Sequence, residues 1–177
     1  MKARGSSTAS WRSRGQLLTA MIVLAWMGAL NSPADDRQVT PPKTASLSSI
    51  IIDSAADPEV ICKQIGEHVQ YAPHATPDDK GRAPEQTVQL GHGNCEDFAS
   101  TVRAVCAAKD IPTKIYVVTS RINQRSHAVT ISDEGGNMWM SSNGSYSAVL
   151  SLSDAKDHIC RIMGWWYDDT TIEEKLM

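Results

Sequence analysis

Apolar side chains recur at helical spacing in two stretches of the chain and at strand spacing in three. The first helical stretch starts at Asp57-Pro58-Glu59, an N-cap followed by proline at the first helical position and an acid. Val60, Ile61, Ile65 and Val69 form its apolar stripe, which predicts a helix over 57–70. The second begins at Cys95, where Asn94 is a good N-cap and Glu96 and Asp97 suit the positive end of a helix dipole. Phe98, Val102, Val105 and Cys106 recur along one side, and Pro112 prevents continuation beyond Lys109-Asp110. Lys114 to Thr119 reads as a strand covered on both faces, because Ile115, Tyr116, Val117 and Val118 are consecutive. Ser126 to Ile131 alternates, with His127, Val129 and Ile131 on one face. Asp133-Glu134-Gly135-Gly136 makes a turn into a partner strand, Met138 to Ser142, which Asn143-Gly144 ends.

Between these elements the pattern is weaker. Leu47 to Ile52 is a short apolar patch that predicts an edge strand. Residues 71–90 carry Pro73, Pro77, Asp78, Asp79, Gly81 and Pro84, and are expected to be a long irregular loop. Leu150 to Leu152 and Ile159 to Trp166 fit a helix or a strand equally well. The acidic tail after Tyr167 is expected to be solvated.

The first 34 residues differ in kind. Lys2, Arg4, Arg12 and Arg14 come without an acid, Leu17 to Leu30 is uncharged and apolar for 14 residues, and Ser32-Pro33-Ala34 follows. This is the pattern of a signal peptide with cleavage after Ala34, and the run is short for a membrane span. The organisation expected is a signal peptide over 1–34, a leader over 35–56, one domain over 57–167 and the tail over 168–177. Removing residues 1–34 leaves 13 Lys+Arg against 20 Asp+Glu, a net charge of about −7. That argues against nucleic acid or an anionic membrane as partner. It predicts a periplasmic or secreted protein with no stable membrane association once the signal is removed. Export permits a disulfide among Cys62, Cys106 and Cys160, without fixing a pairing.

The chemistry centres on Gly91-His92-Gly93-Asn94-Cys95-Glu96-Asp97-Phe98. A thiol at a helix N-terminus has its pKa lowered and free backbone N–H groups beside it. Glu96 and Asp97 oppose a thiolate, so a positive partner is needed. Taken alone, Cys95 reads equally as a buried structural cysteine after a glycine turn. His127 is expected to face the core, and Asn143 follows it 16 residues later at a strand end. If the hairpin packs across the Cys95 helix, His127 reaches the sulfur and Asn143 accepts from the second ring nitrogen. The unit is then a nucleophile, a general base and an orienting group. The imidazolium supplies the missing charge, so Cys95 is expected to be reactive near pH 6.

Gly-x-Gly-Asn-Cys-Glu-Asp-Phe-Ala, then Ser-His-Ala-Val, then Trp139-x-x-x-Asn143, resembles the transglutaminase-like cysteine peptidase superfamily. In particular it is similar to the bacterial transglutaminase-like cysteine proteinases, including the periplasmic type that clips surface adhesins. Pro84 matches a proline those proteins carry eleven residues before the cysteine, and the resemblance covers residues 57–146. It implies an α+β fold with a papain-like, transglutaminase-like core, the catalytic helix packed on a small antiparallel sheet. Cys95 would be the nucleophile and His127 the base, with Asn143 where most relatives have Asp. The partner implied is a protein or peptide substrate, and no cofactor is required. Relatives bind calcium through acids around the cysteine; Glu96 and Asp97 remain here, while Asn94 replaces one charged ligand and Gly81 replaces an aromatic. The function expected is an exported hydrolase of peptide or amide bonds acting through a Cys-His-Asn triad. Acyl transfer by the same acyl-enzyme, and a catalytically impaired binding module of the same fold, are the alternatives.

His68 reads as a surface histidine and His74 as an exposed loop residue; His92 is a candidate lining of the cleft. Trp165 and Trp166 are expected to lid the core, and Met138 and Met140 to pack on the hairpin.

Overall fold

The computed structural model describes residues 45–73, 81–134 and 136–176, all within the compact unit of residues 41–177. The signal peptide, the start of the leader and His74 lie outside the described residues. In chain order the elements are α1 (Leu47–Asp53), α2 (Pro58–His68), β1 (Gln70–Tyr71), α3 (Pro84–Leu90), β2 (His92–Gly93) and α4 (Cys95–Ala107). They continue with β3 (Lys114–Ser120), β4 (Arg125–Glu134), β5 (Asn137–Ser142), β6 (Ser145–Ala148), α5 (Leu152–Met163), a 3-10 turn (Tyr167–Asp169) and β7 (Thr170–Glu174).

β3 to β7 form one antiparallel sheet in the order β6-β5-β4-β3-β7. Helices cover both of its faces. On one side Ile50 of α1, Ile61 and Ile65 of α2, Val88 of α3, and Phe98 and Val102 of α4 pack together with Trp139 of β5. On the other, Val118, Val129, Ile131 and Met140 meet Ala155 and Ile159 of α5, with Trp165 closing the layer. The alternation of β4 assigns its residues to these layers. Ala128 packs with Ala99 of α4 and Thr130 Oγ1 donates to the Ala99 carbonyl at 2.9 Å, whereas Val129 and Ile131 face α5. The fold is the α+β arrangement expected, with the Cys95 helix on an antiparallel sheet.

Several expectations are corrected. Leu47–Asp53 is a helix, not an edge strand. Ser46 and Ser49 cap it reciprocally, and Ile50 is buried, so the local cap outweighs the β-branched run. Pro84–Leu90 is a helix inside the expected loop, with proline at its start and Gly91 in the left-handed conformation at its end. Asn143-Gly144 ends β5 as expected and connects it to a further strand, β6. The tail is not simply solvated: Thr170–Glu174 pairs with β3 from Ser120↔Thr170 to Tyr116↔Glu174. The domain therefore runs past 167 and begins before 57. Trp165 is buried as expected but Trp166 is 76% exposed.

Candidate active site

Asn94 caps α4: its Oδ1 accepts from the Glu96 N–H at 2.8 Å and the Asp97 N–H at 3.1 Å. Asp97 returns the bond, its Oδ2 accepting from the Asn94 N–H at 3.0 Å. The same buried carboxylate takes the Arg82 backbone N–H at 2.6 Å and the Arg82 guanidinium at 3.1 Å. Gly93 is required by this packing, since a Cβ there would lie 2.6 Å from the Asp97 Cβ. The short parallel pair Gln70↔His92 and Tyr71↔Gly93 holds the approach to the helix. Cys95 is thus fixed at a capped helix start by local turn chemistry and one buried ion pair.

The sulfur meets the sheet at an edge. β5 pairs with β4 only from Thr130 to Glu134, so Arg125–Val129 have a strand neighbour, β3, on one side only. The Ala128 backbone N–H serves the Cys95 sulfur as a hydrogen-bond donor there. His127 immediately precedes it, is 4% exposed, and lines with Cys95 a cavity of about 500 Å³. Tyr71, Pro73, Val117, Arg125 and Met163 form further walls. The hairpin does pack on α4, but through Ala128 and Thr130; His127 belongs to the face shared with Val129 and reaches the cavity at the strand's free edge.

His127 Nε2 is 2.9 Å from Ser142 Oγ. This replaces the expected bond to Asn143. Thr130 pairs with Ser141, so Ser142 stands opposite Val129 and diagonal to His127 on one face. Asn143 is the first of two positive-φ residues in the turn, at φ 48°, followed by Gly144 at φ 79°. Its Oδ1 is buried without a hydrogen-bond partner among the described residues. The turn is pressed close to α2, where a Cβ on Gly144 would lie 3.0 Å from the Gly66 Cα. An Asn-Gly pair with two left-handed residues makes the residue before it the last of the strand, and that signal in the sequence points to Ser142.

The electrostatics differ from a thiolate–imidazolium pair. Burial pushes the Cys95 thiol above its ordinary value; the Ala128 N–H works against this and the Glu96 carboxylate adds to it. Burial also holds the His127 imidazole below its ordinary value. Both groups are therefore neutral at pH 7, and the expected reactivity near pH 6 does not fit this environment. Glu96 itself pairs with Lys175, 3.0 Å away, just beyond β7. Nδ1 of His127 has no hydrogen-bond partner among the described residues.

Asp97 does not fit a calcium site. A hard cation takes six to eight oxygens, whereas both Asp97 oxygens already accept N–H donors and one faces a guanidinium. Among the described residues no group of three His, Cys, Asp or Glu is placed to hold a metal. His92 is exposed, its Nδ1 3.0 Å from the Leu90 carbonyl, and is not a wall of the cavity. His68 stays on α2, bonded to the Gln64 carbonyl. Cys62, Cys106 and Cys160 are free and buried, with Cys160 across the sheet from the other two. Burial raises Cys62 to about 11 and Cys106 to about 12, which leaves Cys95 as the accessible thiol.

Comparison with known proteins agrees with this architecture. EGTA-treated LapG of Legionella pneumophila superposes with a TM-score of 0.50 at 15% identity, over 62% of this chain and 66% of that one. Calcium-bound LapG gives a TM-score of 0.45 at 15% identity, over 58% and 64%. A candidate cysteine protease of Cytophaga hutchinsonii gives 0.42 at 20% identity, over 68% and 40%. The chain spans just under two thirds of the LapG chains it resembles. No curated protein matches the sequence. A family model described as the transglutaminase-like superfamily covers residues 52–148, more than half of the 177, and the chain belongs to that superfamily.

Proposed function

We propose that this chain is an exported thiol hydrolase of peptide or amide bonds, with Cys95 as nucleophile, His127 as general base and Ser142 holding the ring. The observation that carries the reading is the shared cavity: the only accessible thiol among the described residues and a buried imidazole line the same cavity, and the thiol is hydrogen-bonded to the backbone of Ala128, the residue after His127. Asn143 contributes the turn that brings Ser142 into place, not a bond to the ring.

Because thiol and imidazole rest neutral, His127 takes the thiol proton as the sulfur attacks the carbonyl carbon. The developing oxyanion falls at the start of α4, where the Cys95 backbone N–H has no helical acceptor. The imidazolium then protonates the leaving amine. Water, deprotonated by the same ring, releases the acyl group and restores the thiol. Ser142 is a neutral partner, so it fixes the ring's orientation without stabilising the imidazolium as a carboxylate would. The chemistry needs no metal, and none is routed through Glu96 or Asp97.

The substrate is a protein or peptide. Periplasmic or secreted location follows from the basic-then-apolar start of the sequence. No described helix is long and apolar enough to cross a membrane. Acyl transfer to an amine would use the same acyl-enzyme, and a binding module would keep the cleft without turnover.

The test is release of amines from a peptide library by the full chain, compared with Cys95→Ala and His127→Ala. Hydrolysis lost in both variants, with the fold retained by circular dichroism, is expected. Products joined through new amide bonds would identify acyl transfer. Equal activity in the Cys95→Ala variant would remove the reading altogether.

A further inference from the structure

The described walls of the Cys95 cavity carry an acidic and a basic side chain, Glu96 and Arg125. They are not equivalent. Glu96 is answered by Lys175 at 3.0 Å. Arg125 makes no ion pair and no side-chain hydrogen bond to any described residue. Its charge nevertheless reaches into the cleft: burial pushes the Tyr71 hydroxyl above its ordinary value, and the Arg125 charge opposes this. Among the described residues that line the cleft, Arg125 is the charged side chain left without an ion-pair partner.

The position of that charge is fixed by the strand. Arg125 and His127 are alternate residues of β4, so their side chains leave the same face, about 6.6 Å apart at the backbone. An extended substrate advances about 3.3 Å per residue. A group held by the guanidinium therefore belongs within two or three residues of the bond under attack. Guanidinium presents a planar fork of donors that matches a carboxylate. The rest of the wall, Val117, Met163 and Tyr71, is apolar or aromatic and suits the stem of such a side chain.

We propose that Arg125 is a specificity-determining residue, and that the cleft selects peptides carrying a carboxylate next to the scissile bond. The inference rests on Cys95 being the attacking group of this cleft. It follows from the juxtaposition of an arginine that pairs with no described residue and the thiol and imidazole in one cavity, not from the protein's overall charge.

The experiment alkylates Cys95 of the full chain with two reagents of the same size, iodoacetate and iodoacetamide. In each the thiolate sulfur bonds to the methylene carbon and iodide leaves. Modification of Cys95 is followed by mass spectrometry, and the ratio of the two rates is compared with that of N-acetylcysteine amide. A unit positive charge about 7 Å away, screened as in water, enriches the anion roughly threefold, and a drier cleft enriches it more. The expected result is an iodoacetate-to-iodoacetamide ratio at least about threefold above the free thiol. It should fall to the free-thiol value in Arg125→Gln and survive in Arg125→Lys. A ratio equal to the free thiol, or one unmoved by Arg125→Gln, overturns the proposal. Hydrolysis undiminished in Cys95→Ala with the ratio intact in the unmodified chain would count against thiol catalysis, not against carboxylate selection.

The source of the carboxylate is resolved by protection against iodoacetamide. Three acetylated Gly-Xaa-Gly peptides are compared: Glu with an amidated end, Gln with an amidated end, and Gln with a free carboxyl end. Protection by the first identifies an acidic side chain, and protection by the third a chain terminus. Equal protection by all three overturns carboxylate selection.

Discussion

His127 Nε2 lies 2.9 Å from Ser142 Oγ, across the diagonal of the β4–β5 pair. A neutral hydroxyl thus stands where an ionised or amide partner was expected. The bond is worth about 1 kcal/mol of net interaction, which is roughly fivefold in rate if it is needed to hold the ring in its reactive orientation. Ser142→Ala is expected to slow peptide turnover by that factor or more, while Asn143→Gly, which suits φ 48°, slows it far less. The reverse order in steady-state kinetics would return the orienting role to Asn143.

The neutral resting state of the thiol sets a pH profile. Burial is the first cause of the raised Cys95 value and the Glu96 carboxylate reinforces it. Iodoacetamide labelling of Cys95 should be slow at pH 6 and still rising above pH 8.5, the ordinary thiol value. A plateau already reached at pH 6 would mean that a thiolate–imidazolium pair exists in the free protein.

His127 also links pH to stability. Its folded value is held below the ordinary 6.5, so the unfolded chain binds the proton more readily. The stability this provides is complete above about pH 6.5 and is lost as pH falls toward the lower folded value. Denaturant midpoints measured between pH 7.5 and 5 should therefore drop, and His127→Gln should flatten the drop. An unchanged slope in that variant would place the acid sensitivity elsewhere.

Arg82 and Asp97 form the ion pair that holds the start of α4, with the guanidinium 3.1 Å from a fully buried carboxylate. Removing the cation leaves an uncompensated buried charge, at a cost of about 3 kcal/mol. Arg82→Gln should lower the melting temperature clearly, whereas calcium or EGTA should leave that of the unmodified chain in place. Stabilisation of the unmodified chain by millimolar calcium would show that the acids near Cys95 do hold an ion.

What the sequence determined is what depends on neighbours in the chain. Asp57-Pro58 and Asn94 start helices by capping their own first turns, and the alternation from Ser126 to Ile131 follows from the pleat. The same local logic places Cys95 at a helix N-terminus and puts His127 on the strand face shared with Val129 and Ile131. Pro84 and Ser46 carry local helix-start signals too, set within a cluster of prolines in one case and before three consecutive isoleucines in the other. The tail could not be assigned locally, because Thr170–Glu174 becomes a strand only when β3 offers its edge, some fifty residues earlier. The identity of the imidazole's partner also waited on the fold. Ser142 and Asn143 are adjacent in the chain, but pairing register and the two left-handed turn residues send the hydroxyl to His127 and leave the amide out of the bond. Tertiary packing likewise set the protonation states, since burial depends on which walls close around a group and no residue's own neighbours in the chain fix that.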